Sequence, residues 1–341
     1  MMKHRDGNID LMRLIFMFFI CLIHAVGYVD ARWTHWLANI SYVGVAGFVL
    51  ISGFYGIRFS VSKVLRLEMY AMVCAATVVF LSRIAGMSNI GDTLSVFKSY
   101  WFVHAYVLMM CFSTLVEKLI DVYKKGLVSE REIVLAVVPV LLMVFVWSFS
   151  MRIWGLQQYI PRAEGINTPF SGIALFAIYI VGAMCRLFNI EKRMNIWVAV
   201  LIILVCAPIV AWPIFCGCFA RYDSAFVLML SFALFAMFRR IHIAPYIGKV
   251  SSWLAPSVLA VYLYHCNPYG YRLFGFLERI LSENGFPMYC IFFVVAFFAM
   301  IGGLMLDLPR RGLCILLSKP IEAVSKLFDS AVASVIVKIV R

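Results

Sequence analysis

The first apolar segment of the chain carries two residues that could do chemistry. The segment "NIDLMRLIFMFFICLIHAVGYVD", residues 8–30, holds an arginine and a histidine within the composition of a membrane-spanning helix. Arg13 and His24 are eleven positions apart, which in an α-helix places them about 20° apart around the axis and about 16 Å apart along it. The two side chains therefore share one face. Ionisable groups inside a span are costly and usually serve function, so this face is the first candidate site.

The residue types of this pair indicate base chemistry next to anion binding. A neutral imidazole, with an unperturbed pKa of about 6.5, can accept a proton from a hydroxyl group. A guanidinium stays charged and binds phosphate or carboxylate through paired hydrogen bonds. Asp10 is expected to pair with Arg13 one turn away, and Asn8 to cap the helix. In the structural alternative, Arg13 extends its charge to the headgroups and His24 is a hydrogen-bonded packing residue.

Three further segments place polar or aromatic residues at the ends of apolar runs. "SKVLRLEMY" has Lys63 and Arg66 one turn apart, which is typical of a cytoplasmic helix end and also suits a phosphate-binding pair. The segments "SYWFVHAYVLMM" and "VYLYHCNPYGYRLF" contribute Trp101, Tyr262, His265 and Asn267. Such residues are also common where a span meets the membrane surface, so an aromatic belt is the alternative for these two segments.

The composition indicates that the elements carrying these residues lie in a membrane. Of the 341 residues, 64% are apolar and 14% charged, whereas a soluble domain has about 45–50% and 25%. Hydrocarbon offers the backbone no hydrogen-bonding partner, so a chain of this kind is expected to be helical. The ten cysteines show neither a zinc-ligand spacing nor a secreted disulfide framework. They are interpreted as small core residues, and no metal centre is expected.

Ten apolar runs approach or reach the length needed to cross a bilayer. They lie near residues 11–29, 39–57, 64–81, 100–120, 132–150, 170–188, 196–216, 223–238, 252–266 and 287–307. The second contains Gly44, Gly47 and Gly53, and the ninth contains Pro256, so either could pack closely or line a cavity. The predicted fold is all-α: a polytopic transmembrane helical bundle of about ten helices.

The distribution of positive charge predicts the orientation of this bundle. Most of the 30 lysines and arginines fall in alternate segments, on the side that holds the N-terminus, and cytoplasmic loops are enriched in these residues. Both termini are therefore predicted to be cytoplasmic. This bias explains the net charge of +13. The lipid bilayer is therefore expected as a partner, and nucleic acid is not. Residues 1–309 are predicted to form the transmembrane domain, and residues 310–341 an amphipathic cytoplasmic tail on the inner leaflet.

Taken in order, the motifs resemble those of acyltransferase family 3, bacterial integral-membrane O-acyltransferases that modify surface and secreted glycans. The resemblance rests on Arg13 and His24 in the first helix, "FVLISGFYGI" closing the second, "KVLRL" opening the third, "YWFVHAY" on the fourth and "VYLYHCNPY" on the ninth. It extends from about residue 8 to Arg311. The ninth-helix pattern is similar to that of the branch that acts on capsular polysaccharides and exopolysaccharides.

The resemblance implies O-acylation, with acetyl-coenzyme A or another acyl-coenzyme A as co-substrate from the cytoplasm and no bound cofactor. The acceptor would be a sugar hydroxyl of a cell-surface or exported polysaccharide, or of a lipid-linked oligosaccharide. The implied location is the bacterial cytoplasmic (inner) membrane, crossed many times. By the same resemblance the catalytic residues would be His24 and Arg13, the donor-binding residues Lys63, Arg66 and Arg13, and the acceptor-side residues His265, Asn267, Tyr262 and Trp101.

Two positions depart from the family pattern. Lys63 stands where the family has the first arginine of an Arg-x-x-Arg pair, and a lysine lacks the two-pronged geometry of a guanidinium. Cys266 stands where an acidic residue is often found in the polysaccharide branch. These departures concern the donor contact and the acceptor subgroup.

His24 is predicted to act as a general base on the sugar hydroxyl, with an acyl-histidine intermediate as the less favoured variant. The separation of about 16 Å between Arg13 and His24 is comparable to the reach of a pantetheine arm. The main competing interpretation is a transporter or flippase for a lipid-linked sugar, but the acidic residues that ion-coupled carriers keep in mid-span are not evident. A non-catalytic scaffold is a third alternative and would not need an arginine and a histidine on one face.

Overall fold

The computed structural model describes residues 6–28, 35–87, 91–153, 172–212, 221–222 and 224–312, and every regular element among them is helical. In chain order the helices are α1 (Gly7–Tyr28), α2 (His35–Ser41), α3 (Val43–Tyr55), α4 (Val61–Ile84), α5 (Thr93–Lys98), α6 (Trp101–Lys124), α7 (Glu130–Ile153), α8 (Gly172–Phe188), α9 (Ile190–Arg193), α10 (Ile196–Ala211), α11 (Ala225–Phe238), α12 (Pro245–Leu254), α13 (Val258–His265), α14 (Pro268–Glu283) and α15 (Met288–Gly312). A short 3₁₀ turn, Ala255–Ser257, joins α12 to α13. The predicted all-α architecture is confirmed.

Several helices have the length and composition of membrane spans. Five stretches are long and apolar enough to cross a bilayer: Gly7–Val26, Trp36–Tyr55, Val61–Ile84, Trp101–Lys124 and Met288–Gly312. Helices α8, α10 and α11 are shorter but also apolar. Each of the ten predicted spans overlaps a described helix. Large side chains such as Phe80, Met143 and Leu204 are more than 60% exposed, which suits contact with lipid. The chain is a polytopic membrane protein.

Ion pairs join the helix ends that the charge distribution assigns to the cytoplasm. Asp6, just before α1, pairs with Arg239 at the end of α11, with 2.6 Å between carboxylate and guanidinium. Glu117, late in α6, pairs with Arg186, late in α8, at 2.7 Å. Helix α1 begins at this end of the bundle, whereas α6, α8 and α11 finish there. The contacts therefore agree with the alternating directions that the basic residues predict.

Helix α1 begins one residue before the predicted cap. The Asp6 carboxylate accepts a hydrogen bond of 3.1 Å from the Asn8 backbone N–H and so supplies the cap. The prediction that Asn8 caps the helix is wrong, because its side-chain amide donates instead to the carbonyls of Phe238 and Ile241 at the end of α11. Carbonyls at a helix end have no partner within the helix, so this contact fixes where α1 enters the bundle.

The glycine-bearing second span packs closely against two neighbours, as predicted. A Cβ atom at Gly53 of α3 would lie 2.1 Å from the backbone oxygen of Tyr179 in α8, and one at Gly182 of α8 would lie 2.2 Å from a backbone oxygen of α3. The two helices therefore meet backbone to backbone. Gly47 of α3 leaves room for the ring of Phe16 in α1. These contacts place α3 beside the face of α1 that bears the candidate site.

The ninth predicted span is a bent pair of helices. Helices α12 and α13 are separated by the 3₁₀ turn that contains Pro256, and proline removes a backbone donor from a helix. The Arg311 guanidinium donates to the carbonyls of Trp253 and Leu254 at the end of α12, at 2.6 and 3.2 Å. It also contacts the hydroxyl of Ser257 within the turn. A charged side chain of α15 thus holds the bend in place.

The end of the chain is described only in part. Helix α15 continues past residue 309, the predicted end of the transmembrane domain, to Gly312. The remainder of the predicted amphipathic tail, residues 313–341, lies outside the described residues.

Candidate active site

A single cavity is lined by both Arg13 and His24, so the face predicted from their spacing is confirmed as one surface. Its volume is about 290 Å³, near the low end for sites that hold small molecules. The glycine-bearing α3 and the bend between α12 and α13 both contribute wall residues, as the sequence suggested for those two spans. Hydrocarbon and aromatic side chains form most of the wall, including Met17, Ile20, Val45, Phe48, Leu67, Phe102, Pro256 and Leu259.

Arg13 forms the predicted ion pair at the basic end of the site. Its guanidinium lies 2.9 Å from the carboxylate of Asp10, which is almost fully buried, while the Arg13 side chain is 31% exposed. The guanidinium also lies over the ring of Tyr55, 5.9 Å from its centroid. A guanidinium has five N–H donors, so pairing with one carboxylate oxygen leaves it able to bind an incoming anion.

Lys63 and Arg66 are exposed near the start of α4, and neither belongs to the cavity wall. Leu67, the neighbour of Arg66, does line the cavity. Ser60 caps α4 by accepting from the Lys63 backbone N–H at 3.3 Å, and the Lys63 ammonium donates to the Arg58 carbonyl at 2.8 Å. The predicted donor-binding pair is therefore exposed on the helix that contributes Leu67 to the cavity wall.

His24 contacts a second histidine. Its Nδ1 lies 2.8 Å from Nε2 of His265 on α13, and the ring centroids are 4.9 Å apart. Nδ1 of His265 in turn contacts the carbonyl of Val261, one turn earlier in α13. His265 is only 3% exposed, so it lies inside the protein. Gly7 meets Gly248 and His24 meets His265, so α1 runs parallel to α12 and α13 and brings the two imidazoles to one level.

Two thiols and a phenol surround the histidine pair. Cys266 Sγ lies 3.7 Å from Nε2 of His24 and 3.4 Å from the hydroxyl of Tyr271. Cys21 Sγ lies 3.8 Å from Nδ1 of His265. The sequence analysis treated these cysteines as core residues, since their spacing carries no motif. Their position beside the imidazoles depends on how α1 and α13 pack, which the sequence alone does not reveal.

Two aromatic residues predicted for the acceptor side, Trp101 and Tyr262, line the cavity. Trp101 stacks on Tyr222, with ring centroids 5.8 Å apart and planes 27° apart. The Tyr262 hydroxyl accepts from the backbone N–H of Phe102 at 3.4 Å. Tyr222 also lines the cavity, but sequence reasoning missed it because it precedes an apolar run and belongs to no recognised motif.

Asn267, the remaining acceptor-side candidate, is fully buried at the junction of α13 and α14. Its side-chain oxygen accepts from the backbone N–H groups of Tyr269 and Gly270, both at 3.0 Å. Its amide donates to the carbonyls of Leu263 and Tyr264, both at 2.9 Å. These four bonds occupy the side chain and fix the turn between the two helices. A contact with the acceptor stays a prediction.

Ser52 and Tyr106 form a pair of hydroxyl groups in the mostly apolar wall of the cavity. Both line the cavity, and their hydroxyl oxygens lie 3.2 Å apart. Ser52 on α3 and Tyr106 on α6 belong to the quoted segments "FVLISGFYGI" and "YWFVHAY". Sequence reasoning nevertheless missed them as site residues, because only the folded bundle, in which α3 and α6 both pack against α8, brings the two hydroxyls together.

Fold and site together define an integral membrane protein of many helices that encloses an imidazole, a guanidinium and aromatic side chains around one cavity. Residues 6–306 match the family model described as an acyltransferase domain, and the chain therefore belongs to that family. The protein is a membrane acyltransferase. Neither the curated proteins nor the solved structures gave a match. The match spans all the helices that contribute to the cavity.

Proposed function

We propose that the protein moves an acyl group, acetyl in the first instance, from cytoplasmic acyl-coenzyme A to a sugar hydroxyl. The acceptor is a cell-surface or exported polysaccharide or its lipid-linked precursor, and the protein works in the bacterial cytoplasmic membrane. The observation that carries the proposal is the cavity that Arg13 and His24 line together. An anion-binding group and a base on one wall suit a donor with charged phosphates at one end and a thioester at the other.

The basic end of the cavity receives the phosphates of the donor in this proposal. Arg13 lies in the wall, and Lys63 and Arg66 are exposed on α4, the helix whose Leu67 also lines the cavity. Charge-assisted hydrogen bonds from these groups would hold the nucleotide part outside the apolar space. The pantetheine arm then extends along the wall, where the hydroxyls of Ser52 and Tyr106 are available to its amide groups.

His24 acts as the general base at the far end of the arm. As the sugar oxygen attacks the thioester carbonyl, the hydroxyl proton passes to the imidazole. The new carbon–oxygen bond replaces the carbon–sulfur bond, and coenzyme A leaves as a thiol after taking the proton from His24. Direct transfer needs one base and no covalent enzyme intermediate. Formation of an acyl-histidine would be the alternative route for the same residue.

Thiol release by the purified protein tests this function. The protein in lipid nanodiscs, supplied with acetyl-coenzyme A and a polysaccharide acceptor, should release free thiol and add an acetyl mass to the acceptor. His24→Ala should abolish both signals while the protein keeps its melting temperature. His242→Ala is the matched control, since that histidine is exposed in the segment between α11 and α12. Movement of a glycan without thiol release would overturn the proposal and favour a carrier.

A further inference from the structure

We infer that His265 is a positioning residue that sets the tautomer of His24, so that Nε2 of His24 holds the lone pair that accepts the substrate proton. The inference rests on the proposed role of His24 as base and gives His265 a task other than the acceptor contact predicted from the sequence. It follows from three contacts in series, which join the Val261 carbonyl, the His265 ring, the His24 ring and the Cys266 thiol.

The first contact fixes the proton of His265. A carbonyl oxygen can only accept a hydrogen bond, so the contact between Val261 O and Nδ1 of His265 requires a hydrogen on that nitrogen. A neutral imidazole has one donor nitrogen and one acceptor nitrogen. Nε2 of His265 is therefore the acceptor. The carbonyl belongs to the preceding turn of the same helix, so this arrangement is built into α13.

The second contact passes the constraint to His24. Nε2 of His265 lies 2.8 Å from Nδ1 of His24, and an acceptor there requires the hydrogen of His24 to be on Nδ1. Nε2 of His24 is then the nitrogen without a hydrogen. An isolated imidazole can place its proton on either nitrogen, and the hydrogen bond at one nitrogen decides the state of the other.

The third contact shows where the lone pair points. Cys266 Sγ lies 3.7 Å from Nε2 of His24, and a thiol is a weak hydrogen-bond donor. An incoming sugar hydroxyl is a stronger donor and can replace the thiol at this nitrogen. His24 lines the cavity, whereas His265 is 3% exposed behind it. The substrate therefore meets His24, and His265 acts only through His24.

The same contact supports His24 after proton transfer. Once Nε2 has taken the hydroxyl proton, the His24 ring is a cation and Nδ1 still donates to Nε2 of His265. A hydrogen bond from a charged donor is stronger than one from a neutral donor. The groups facing the pair are the thiols of Cys21 and Cys266 and the rings of Tyr262, Tyr271 and Phe274. In these surroundings His265 is the hydrogen-bond acceptor for the Nδ1 N–H of His24.

Three substitutions of His265 separate positioning from packing. His265→Gln can place an amide oxygen near the position of the lost Nε2, and so keeps an acceptor for His24. His265→Asn is one methylene shorter, so it can still donate to Val261 but does not reach His24. His265→Leu removes both bonds. All three are purified in lipid nanodiscs, and turnover is measured as thiol release at saturating acetyl-coenzyme A and acceptor.

The expected result is that the Asn and Leu variants have a kcat about 100-fold lower than the wild type. This factor lies within the range of rate enhancement that general base catalysis contributes. KM for acetyl-coenzyme A should change less than about twofold, because the donor phosphates bind elsewhere. The Gln variant should recover most of the turnover that the Asn variant loses. Equal turnover of the Gln and Asn variants, with melting temperatures matched, would show that His265 does not set the tautomer. Retained activity of His24→Ala would instead refute the base itself, so the two failures are distinguishable.

Discussion

At the residue scale, His24 is distinguished from an ordinary packing histidine by its surroundings on two sides. One ring nitrogen is bonded to His265 and the other meets the thiol of Cys266, while His24 itself lines the cavity. The 100° rotation per residue of an α-helix was enough to predict that Arg13 and His24 share a face. The partner of His24 is 241 positions away in sequence. Its identification required the packing of α1 against α13.

Replacement of Cys266 tests whether its thiol takes part in acyl transfer. Cys266→Ala should keep turnover within about threefold of the wild-type rate, because the contact it removes is one weak hydrogen bond. The measurement is thiol release under saturating substrates, with Cys21→Ala as the control for lost packing beside the same imidazole pair. Loss of turnover in the Cys266 variant alone, with an acyl group trapped on the wild-type cysteine, would contradict base catalysis without a covalent intermediate.

The two basic residues of α4 should differ in their effect on donor binding. Arg66→Ala should raise KM for acetyl-coenzyme A about tenfold with little change in kcat, as expected for the loss of one charge-assisted hydrogen bond. Lys63→Ala should raise the KM for acetyl-coenzyme A less, because the Lys63 ammonium is already bonded to the Arg58 carbonyl. Initial rates over a range of donor concentrations measure KM and kcat for both variants.

Arg83→Ala is the control for this pair, since Arg83 is exposed at the opposite end of the same helix. An unchanged KM in both the Arg66 and the Lys63 variants would remove α4 from the donor site.

At the element scale, the site depends on two helices that depart from a regular span. Helix α3 carries glycines that bring α1 and α8 close, and the bend between α12 and α13 brings Pro256 to the cavity and His265 to His24. Glycine and proline are visible in a sequence, so both irregular spans could be identified beforehand. The direction of the bend could not, because it depends on Arg311 of α15, which binds the end of α12.

Two adjacent glycines of α15 allow a matched test of this packing. A Cβ atom at Gly303 would lie 2.6 Å from the Cα of Val261 in α13, whereas one at Gly302 would meet nothing within 4 Å. Gly303→Ala should therefore lower the free energy of unfolding by about 1–3 kcal/mol, the usual cost of overpacking. It should also lower turnover, because the carbonyl of Val261 holds His265.

Gly302→Ala should be neutral or stabilise the protein by up to about 1 kcal/mol, since alanine is the better helix former. Unfolding in detergent, followed by thiol release on the folded fraction, measures both variants. Equal behaviour of the two alanine variants would show that the contact between α15 and α13 does not support the site.

At the scale of the whole molecule, the cavity connects a basic region with an aromatic one. Arg13 marks the end where Asp6, Glu117 and their basic partners gather, and the charge distribution assigns this end to the cytoplasm. The all-α, polytopic character of the chain could be predicted, because lipid imposes length and polarity on each helix. The cavity itself could not, since it results from side chains of six segments that only meet in the bundle.

The most direct test of the account is whether acyl transfer requires donor and acceptor on opposite sides of a membrane. The protein is reconstituted in sealed liposomes, and acetyl-coenzyme A, which is too charged to cross lipid, is enclosed inside while the glycan acceptor is supplied outside. Acetylated glycan should form in this arrangement. With both substrates outside and none inside, product should form only after the vesicles are permeabilised. The contradicting result would be that sealed vesicles with both substrates outside form as much product as sealed vesicles with the donor inside and the acceptor outside. A cavity that receives donor and acceptor from opposite faces could not give that result.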